Sequence, residues 1–185
     1  MLTYTVSNLE SDLFEITKLQ KINLFENLSL EERKDQGFLT VCHSLNQLKK
    51  MSSYEPHLIA KDNQILAGFL LAMTKNSKND IPILIPMFNL FEKITFKENL
   101  ISEYNYIVVG QVCIGKEYRR QGILDNSYMA YKDYFESKYD FAITEIATTN
   151  KRSLNAHKRV GFKEIHKYTD FQNTEWSIVI WDWKS

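Results

Sequence analysis

Apolar positions along the chain change period several times, and each change marks an element. Leu13, Ile16, Leu19, Ile22 and Phe25 recur every three residues and predict a helix over residues 12–25. A short strand precedes it at 3–6. Ser29 and Glu32 form a capping-box pair that opens a short helix, and Gly37 closes it. Leu45, Leu48 and Met51 predict another helix over 44–51. Residues 57–61 and 64–74 read as a hairpin around a turn at Asp62 and Asn63. A polar loop follows at 75–80. The apolar, proline-broken run "IPILIPMFNLFEKI" (81–94) reads as strand, then turn, then helix. Residues 104–114 predict a strand, 122–138 a helix with Leu124, Tyr128, Tyr131 and Phe135 on one face, and 140–148 a strand. Asn150 caps a helix that runs to Val160 and stops at Gly161, before strands at 162–169 and 175–183.

The second half therefore runs β-α-β-α-β-β. Strands 104–114 and 140–148, joined by a helix, predict a right-handed parallel βαβ unit. With the hairpin they give an α+β domain: a mixed, mostly antiparallel central sheet flanked by helices. The length of 185 residues predicts one domain over 1–185, with 75–100 as an insertion on the acceptor side.

Composition narrows the class. Hydrophobic residues make up 44% and aromatic residues 13%, enough for a packed core. Lys plus Arg and Asp plus Glu balance at 23 each, so there is no global field for nucleic acid or an anionic membrane. Cys42 and Cys113 form no CxxC pair, and His43, His57 and His166 show no ligand spacing, so no metal site is expected. The start "MLTYTVSNLESDLF" has no signal-peptide pattern, no apolar run is long enough to span a bilayer, and the cysteine usage suits a reducing cytoplasm.

Candidate chemistry centres on "YRRQGILD" (118–125). It lies between the apolar strand "YIVVGQVCI" (106–114) and a helix. Free amides at a helix start, one glycine and two arginines suit an anion, whereas a solvated basic turn would need no ligand. The stretch is neither a P-loop nor a dinucleotide fingerprint.

Arg119-Arg120-Gln121-Gly122-Ile123-Leu124 resembles the [Q/R]-x-x-G-x-[G/A] signature of the GNAT N-acetyltransferase superfamily. "NKRSLNAHKRVGF" (150–162) is similar to that family's second pattern through Asn150, Ser153, His157 and Gly161-Phe162. The likeness extends over roughly 104–165. It implies acetyl-CoA as co-substrate, with no metal, and direct acetyl transfer to a primary amine of a small molecule or peptide in a ternary complex. Pyrophosphate would lie on the amides of residues 120–124, with Arg119 among its contacts. The pantetheine arm would pair with Val112, Cys113 and Ile114 as an added strand, and Asn150, Ser153 and His157 would lie on its other side. Leu124 departs from the small residue of the signature and also heads the core-facing stripe of its helix. Where many members carry Tyr, this chain has His157.

Within that resemblance, His157 is a candidate acid or base, set against a buried spacer. Glu145, mid-strand, is a candidate base through water, set against an ion-paired glutamate. The Cys113 amide is a candidate oxyanion donor, while its thiol reads as a small buried group rather than a nucleophile. Gln111 would orient the acceptor or satisfy a neighbouring strand. Trp176, Trp181 and Trp183 would line an acceptor cleft or pack on the sheet. Residues 81–100 would shape the acceptor pocket or a homodimer contact. Two other functions compete: a non-catalytic acyl-CoA-binding regulatory module, motivated by Leu124 and His157, and an interaction module using 81–96.

Overall fold

A computed structural model describes residues 1–184, less the side chains of residues 34, 35 and 83. The elements are β1 (Leu2–Val6), α1 (Glu10–Ile22), α2 (Leu30–Gln36), α3 (Leu45–Ser52), β2 (Leu58–Asp62), β3 (Ile65–Met73), α4 (Ile85–Phe91), β4 (Thr95–Phe96), β5 (Asn99–Leu100), β6 (Tyr106–Ile114), α5 (Ile123–Phe135), β7 (Phe141–Ala147), α6 (Lys151–Val160), β8 (Lys163–Thr169) and β9 (Glu175–Asp182). Seven strands form one sheet in the order β1-β2-β3-β6-β7-β9-β8, and β4 with β5 forms a separate two-residue hairpin. Every pairing in the large sheet is antiparallel except β6 with β7. The fold is the mixed α+β architecture the sequence predicts.

Local chemistry accounts for the helix ends. The Ser29 hydroxyl accepts from the Glu32 amide, and the Glu32 carboxylate accepts in return from the Ser29 amide. Gly37 follows α2 at φ 74°, a conformation that favours glycine. The Asn150 side chain accepts from the Ser153 amide at the start of α6.

Two hydrophobic clusters sandwich the sheet. One holds Ile16, Leu48, Phe69, Leu71 and Phe91, beneath α1, α3 and α4. The other holds Leu70, Ile107, Tyr128, Tyr131 and Phe135, beneath α5. Strand β6 alternates between them, but its parity flips. Tyr106 and Val108 face the first cluster, and so does Cys113; Ile107 and Val109 face the second, and so does Val112. One extra residue explains the flip. Pairing with β3 slips between Leu71, opposite Gln111, and Ala72, opposite Val109, so Gly110 is bulged. A Cβ on Gly110 would lie 2.0 Å from Met73 Sδ, so any larger residue there would have to displace that buried side chain.

The 81–94 segment differs from the sequence expectation. It forms no strand; a 3-10 turn at Pro82–Leu84 leads directly into α4. Two causes act together. β3 pairs directly with β6, which leaves no sheet edge for an intervening strand. Pro86 sits in the first turn of α4, where its fixed φ suits a helix and its missing N–H costs nothing. Met87, Phe88 and Phe91 then bury one face of the helix.

Candidate functional site

The site begins where β6 and β7 part. They pair only from Tyr106 opposite Phe141 to Val108 opposite Ile143. Beyond that the Thr144 hydroxyl still donates to the Val109 carbonyl at 2.8 Å, and then the bulge carries β6 away with β3. A splay opens between the two strands.

Backbone alternation decides which groups face it. The Gly115 amide donates to the Ala67 carbonyl at 2.8 Å, so that pair is hydrogen-bonded across the β3–β6 ladder. Bonded pairs recur every second residue, which puts Cys113 against Phe69 and Gln111 against Leu71. The amide of Cys113 therefore points to β3, away from the splay, which corrects its expected place as an oxyanion donor. Val112 and Ile114, in between, turn their backbone groups to the open side. The Ile114 carbonyl accepts there from Arg119 Nε at 3.0 Å. The Cys113 thiol is buried, and burial pushes its pKa up to about 12, so no thiolate nucleophile is on offer.

The loop after β6 is built to leave amides free. Arg120 and Gly122 both adopt left-handed conformations, φ 63° and 76°. Gly122 is the N-cap of α5, and the Asn126 amide returns to its carbonyl as the first bond of the helix. The amides of residues 120–125 meet no protein acceptor among the described residues. They form a concave row of donors at a helix N-terminus, suited to an anion. Arg120, Gln121 and Gly122 are exposed, whereas Ile123 is buried. Leu124 packs against the α5 cluster, so the side chain that departs from the family signature points inward and only its amide stays in the row.

Arg119 is placed differently from expectation. Its guanidinium bonds the Ile114 carbonyl, Gln36 Oε1 at 3.0 Å and Asn23 Oδ1 at 2.6 Å. It ties the end of β6 to the N-terminal helices rather than standing free for a phosphate. Gln36 and Asn23 lie more than 80 residues away along the chain, which no local pattern discloses.

Across the splay stands α6. Asn150 caps it and donates through Nδ2 to the Phe38 carbonyl at 3.3 Å, so the chain after α2 crosses the splay and docks there. A Cβ on Gly37 would lie 3.1 Å from Asn150 Oδ1. His157 is buried rather than presented as an acid or base. Its Nδ1 lies 2.8 Å from the Ser153 carbonyl, an acceptor only, so Nδ1 carries the proton. Its Nε2 accepts from the buried Tyr128 hydroxyl at 2.6 Å. Both ring nitrogens are thus engaged, and Tyr128 and Phe162 meet the ring edge-on.

Burial lowers the pKa of His43, His57 and His157 to about 4 each. The unfolded chain then binds more protons than the folded one between the ordinary histidine pKa and that value. Stability falls as pH drops through this window. We expect thermal unfolding at pH 5 to show a loss of at least about 2 kcal/mol relative to pH 7. A melting temperature that stays flat from pH 7 to 5 would show these rings to be charged or exposed.

Two cavities open off the splay and share Phe38, Leu39, Val112, Asn150, Ser153 and His157. The smaller, about 730 Å³, runs past Val112, Ile114, Arg120, Gly122 and Arg152. The larger, about 990 Å³, lies on the other side, between α4, the segment after α2 and the β8–β9 turn. Glu145 lies in its wall, two residues past the last β7 residue that pairs with β6. Burial pushes its pKa up to about 7, while a hydrogen bond from the Tyr168 hydroxyl at 2.5 Å pulls the other way. Asp170 also faces Glu145 and raises it, but Asp170 is itself engaged by the Gln172 and Thr174 amides and the Trp176 indole. Gln111 accepts from Gln20 at 2.7 Å and donates to the Val41 carbonyl at 2.6 Å, so it braces the wall. Trp176 lines the chamber, while Trp181 and Trp183 pack on Tyr128 and Tyr131. Sequence reasoning missed Gly110, whose only signal is a glycine inside an apolar strand, and Tyr168, whose partner is 23 residues distant.

Among the described residues no group of three or more His, Cys, Asp or Glu could hold a metal, and no helix is long and apolar enough to cross a membrane.

No protein-family profile and no curated protein matches this sequence. Solved structures do match. A chain of the NatC complex bound to Gag peptide and CoA is 16% identical, with a TM-score of 0.64 and 98% of each chain covered. A GNAT-family acetyltransferase of Streptococcus agalactiae is 9% identical, with a TM-score of 0.68 over 100% of this chain and 96% of that one. The ribosomal-protein-S18-alanine N-acetyltransferase of Escherichia coli is 13% identical, with a TM-score of 0.59 over 97% and 92%.

Proposed function

We propose that this chain, which has the fold of the GNAT acetyltransferases, transfers an acetyl group from acetyl-CoA to a primary amine. The observation that carries the reading is the row of unpartnered amides at residues 120–125, opening onto a splay whose edge presents the backbone of Val112 and Ile114. That arrangement fits a pyrophosphate followed by an extended amide-bearing arm. The neighbour crystallised with CoA supports it.

Acetyl-CoA, when bound, supplies an acetyl thioester. The residues of the chain do the rest. Amides 120–124 hold phosphate charge at the α5 N-terminus, with Arg120 and Arg152 beside them in the smaller cavity. The Val112 amide, rather than that of Cys113, is the donor for charge developing on the thioester oxygen. Glu145 accepts the proton that the acceptor ammonium must lose, directly or through one water. A carboxylate held near 7 is poised for that at neutral pH. The nitrogen loses its second proton as the C–S bond breaks, and that proton passes through water to the departing thiolate, so the locked His157 need not supply one.

The experiment is an amine screen that reads free CoA thiol. Turnover above the rate of thioester hydrolysis supports the reading. CoA binding without turnover of any amine favours the alternative, a non-catalytic acyl-CoA-binding module, which the engaged nitrogens of His157 motivate. The soluble, cytoplasmic setting and the acceptor role of residues 75–100 belong to the same proposal. Leu84, Pro86 and Leu90 of that segment line the larger chamber.

Tyr168 positions the base. Its hydrogen bond favours the ionised carboxylate, so Tyr168→Phe should move the acid limb of kcat/KM upward by about one pH unit. An unchanged limb would show that Glu145 is not the group titrating.

A further inference from the structure

We infer that the acceptor is a singly charged amine on an apolar body, of the kind presented by the N-terminus of a peptide with apolar leading residues. The inference rests on the acetyltransferase reading and concerns the larger cavity. One wall is α4 with its preceding turn, where Leu84, Pro86, Met87 and Leu90 line the chamber while Phe88 and Phe91 bury the helix in the core. The facing wall comes from the chain around α2, through Phe25, Phe38 and Val41. At the mouth, Phe171 on the β8–β9 turn is 86% exposed, a large apolar ring with no protein cover. A chamber of about 990 Å³ holds far more than an amine head, and its apolar walls reward an apolar body.

Charge excludes the other amine classes. Glu145 is the carboxylate beside the splay, and one ammonium satisfies it. Asp170 already accepts from two amides and an indole. Glu26 shares the lining with the cation Lys93. A polyamine would bring its second and third ammonium groups to a wall whose other carboxylates are Asp170, already hydrogen-bonded three times, and Glu26, beside which Lys93 adds a repelling charge to the lining. A free amino acid would bring its own carboxylate within a few ångströms of Glu145, where like charges repel. A peptide has a neutral amide at that place. Proton matching points the same way. An α-amino group titrates at about 7.7–8.0 and a lysine-type amine at about 10.4, so a base near 7 is far better matched to the former.

The test compares leucyl-phenylalanyl-glycinamide, spermidine, free leucine and Nα-acetyl-lysine amide at pH 7.5, with acetyl-CoA saturating and free thiol as readout. The expected result is a kcat/KM at least tenfold higher for the peptide amide than for each of the others. Equal or faster turnover of any competitor overturns the inference. So does no turnover of the peptide, and calorimetric binding of CoA in that case shows whether the cofactor site itself still stands. A second variant guards against an accidental preference. Phe171→Asp changes a solvent-exposed ring, so the fold is undisturbed. It should lower kcat/KM for the peptide amide at least fivefold while the Kd for CoA stays unchanged. No change in the peptide value overturns the assignment of this mouth.

Discussion

Glu145→Gln lowers kcat for amine acetylation by about 10²–10⁴-fold, the range that a positioned general base contributes. Burial sets the proton affinity of this carboxylate. Glu145 sits in mid-β7 opposite Ile178, half-buried in the wall of the chamber, and burial pushes its carboxyl up to about 7. The Tyr168 hydroxyl keeps it oriented toward one wall of the chamber. Glutamine preserves the shape and can still accept from Tyr168, so lost activity reports lost proton affinity rather than lost structure. Stability gives an independent check with the opposite sign. The folded chain binds a proton at Glu145 more tightly than the unfolded chain does, so native stability falls as pH rises from the ordinary carboxylate range through about 7. Glutamine carries no such penalty. The variant should melt at the same temperature as the parent or higher at pH 8, and the gap should close at pH 5. A variant that keeps its turnover would move the proton to another group.

Gly122→Trp abolishes CoA binding. Gly122 holds φ 76° at the N-cap of α5, and only the Asn126 side chain comes near where its Cβ would be. The position is open on the solvent side, so an indole there projects over the amides of residues 120–124 instead of into the core. The left-handed backbone adds a cost of about 1–2 kcal/mol for a residue with a Cβ, which a buried sheet of seven strands withstands. Thermal shift separates the two effects. CoA at about 100 times its Kd should stabilise the parent by about 2.7 kcal/mol, or roughly 5–10 °C for a chain of this size. The variant should melt slightly lower than the parent without ligand and show no shift with it. A shift of the parental size would place the anion elsewhere.

Much of this site was legible because its signals are local. The row of amides follows from one glycine at a strand-to-helix turn, and the α6 start follows from Asn150 with Ser153 three residues on. Leu124 could be assigned inward from its place in the helical stripe of α5. What the sequence withheld depends on register and distance. Whether Cys113 or Val112 turns its amide to the splay depends on a one-residue bulge, and a bulge is defined by the partner strand. Arg119 reads as a free cation until Asn23 and Gln36 arrive from the N-terminal helices. His157 reads both as an acid or base and as a buried spacer until Tyr128, on a different helix, takes its second nitrogen. The strand expected at 81–94 failed for the same reason: strand pairing belongs to the whole sheet, and β3 had already found β6.

The most direct measurement is a calorimetric titration of the unmodified protein with acetyl-CoA at pH 7.5. The expected result is a saturating one-to-one heat with a Kd below about 100 μM, corresponding to more than about 5 kcal/mol of binding free energy. No heat at millimolar acetyl-CoA would contradict it, because the splay and its free amides would then hold no cofactor.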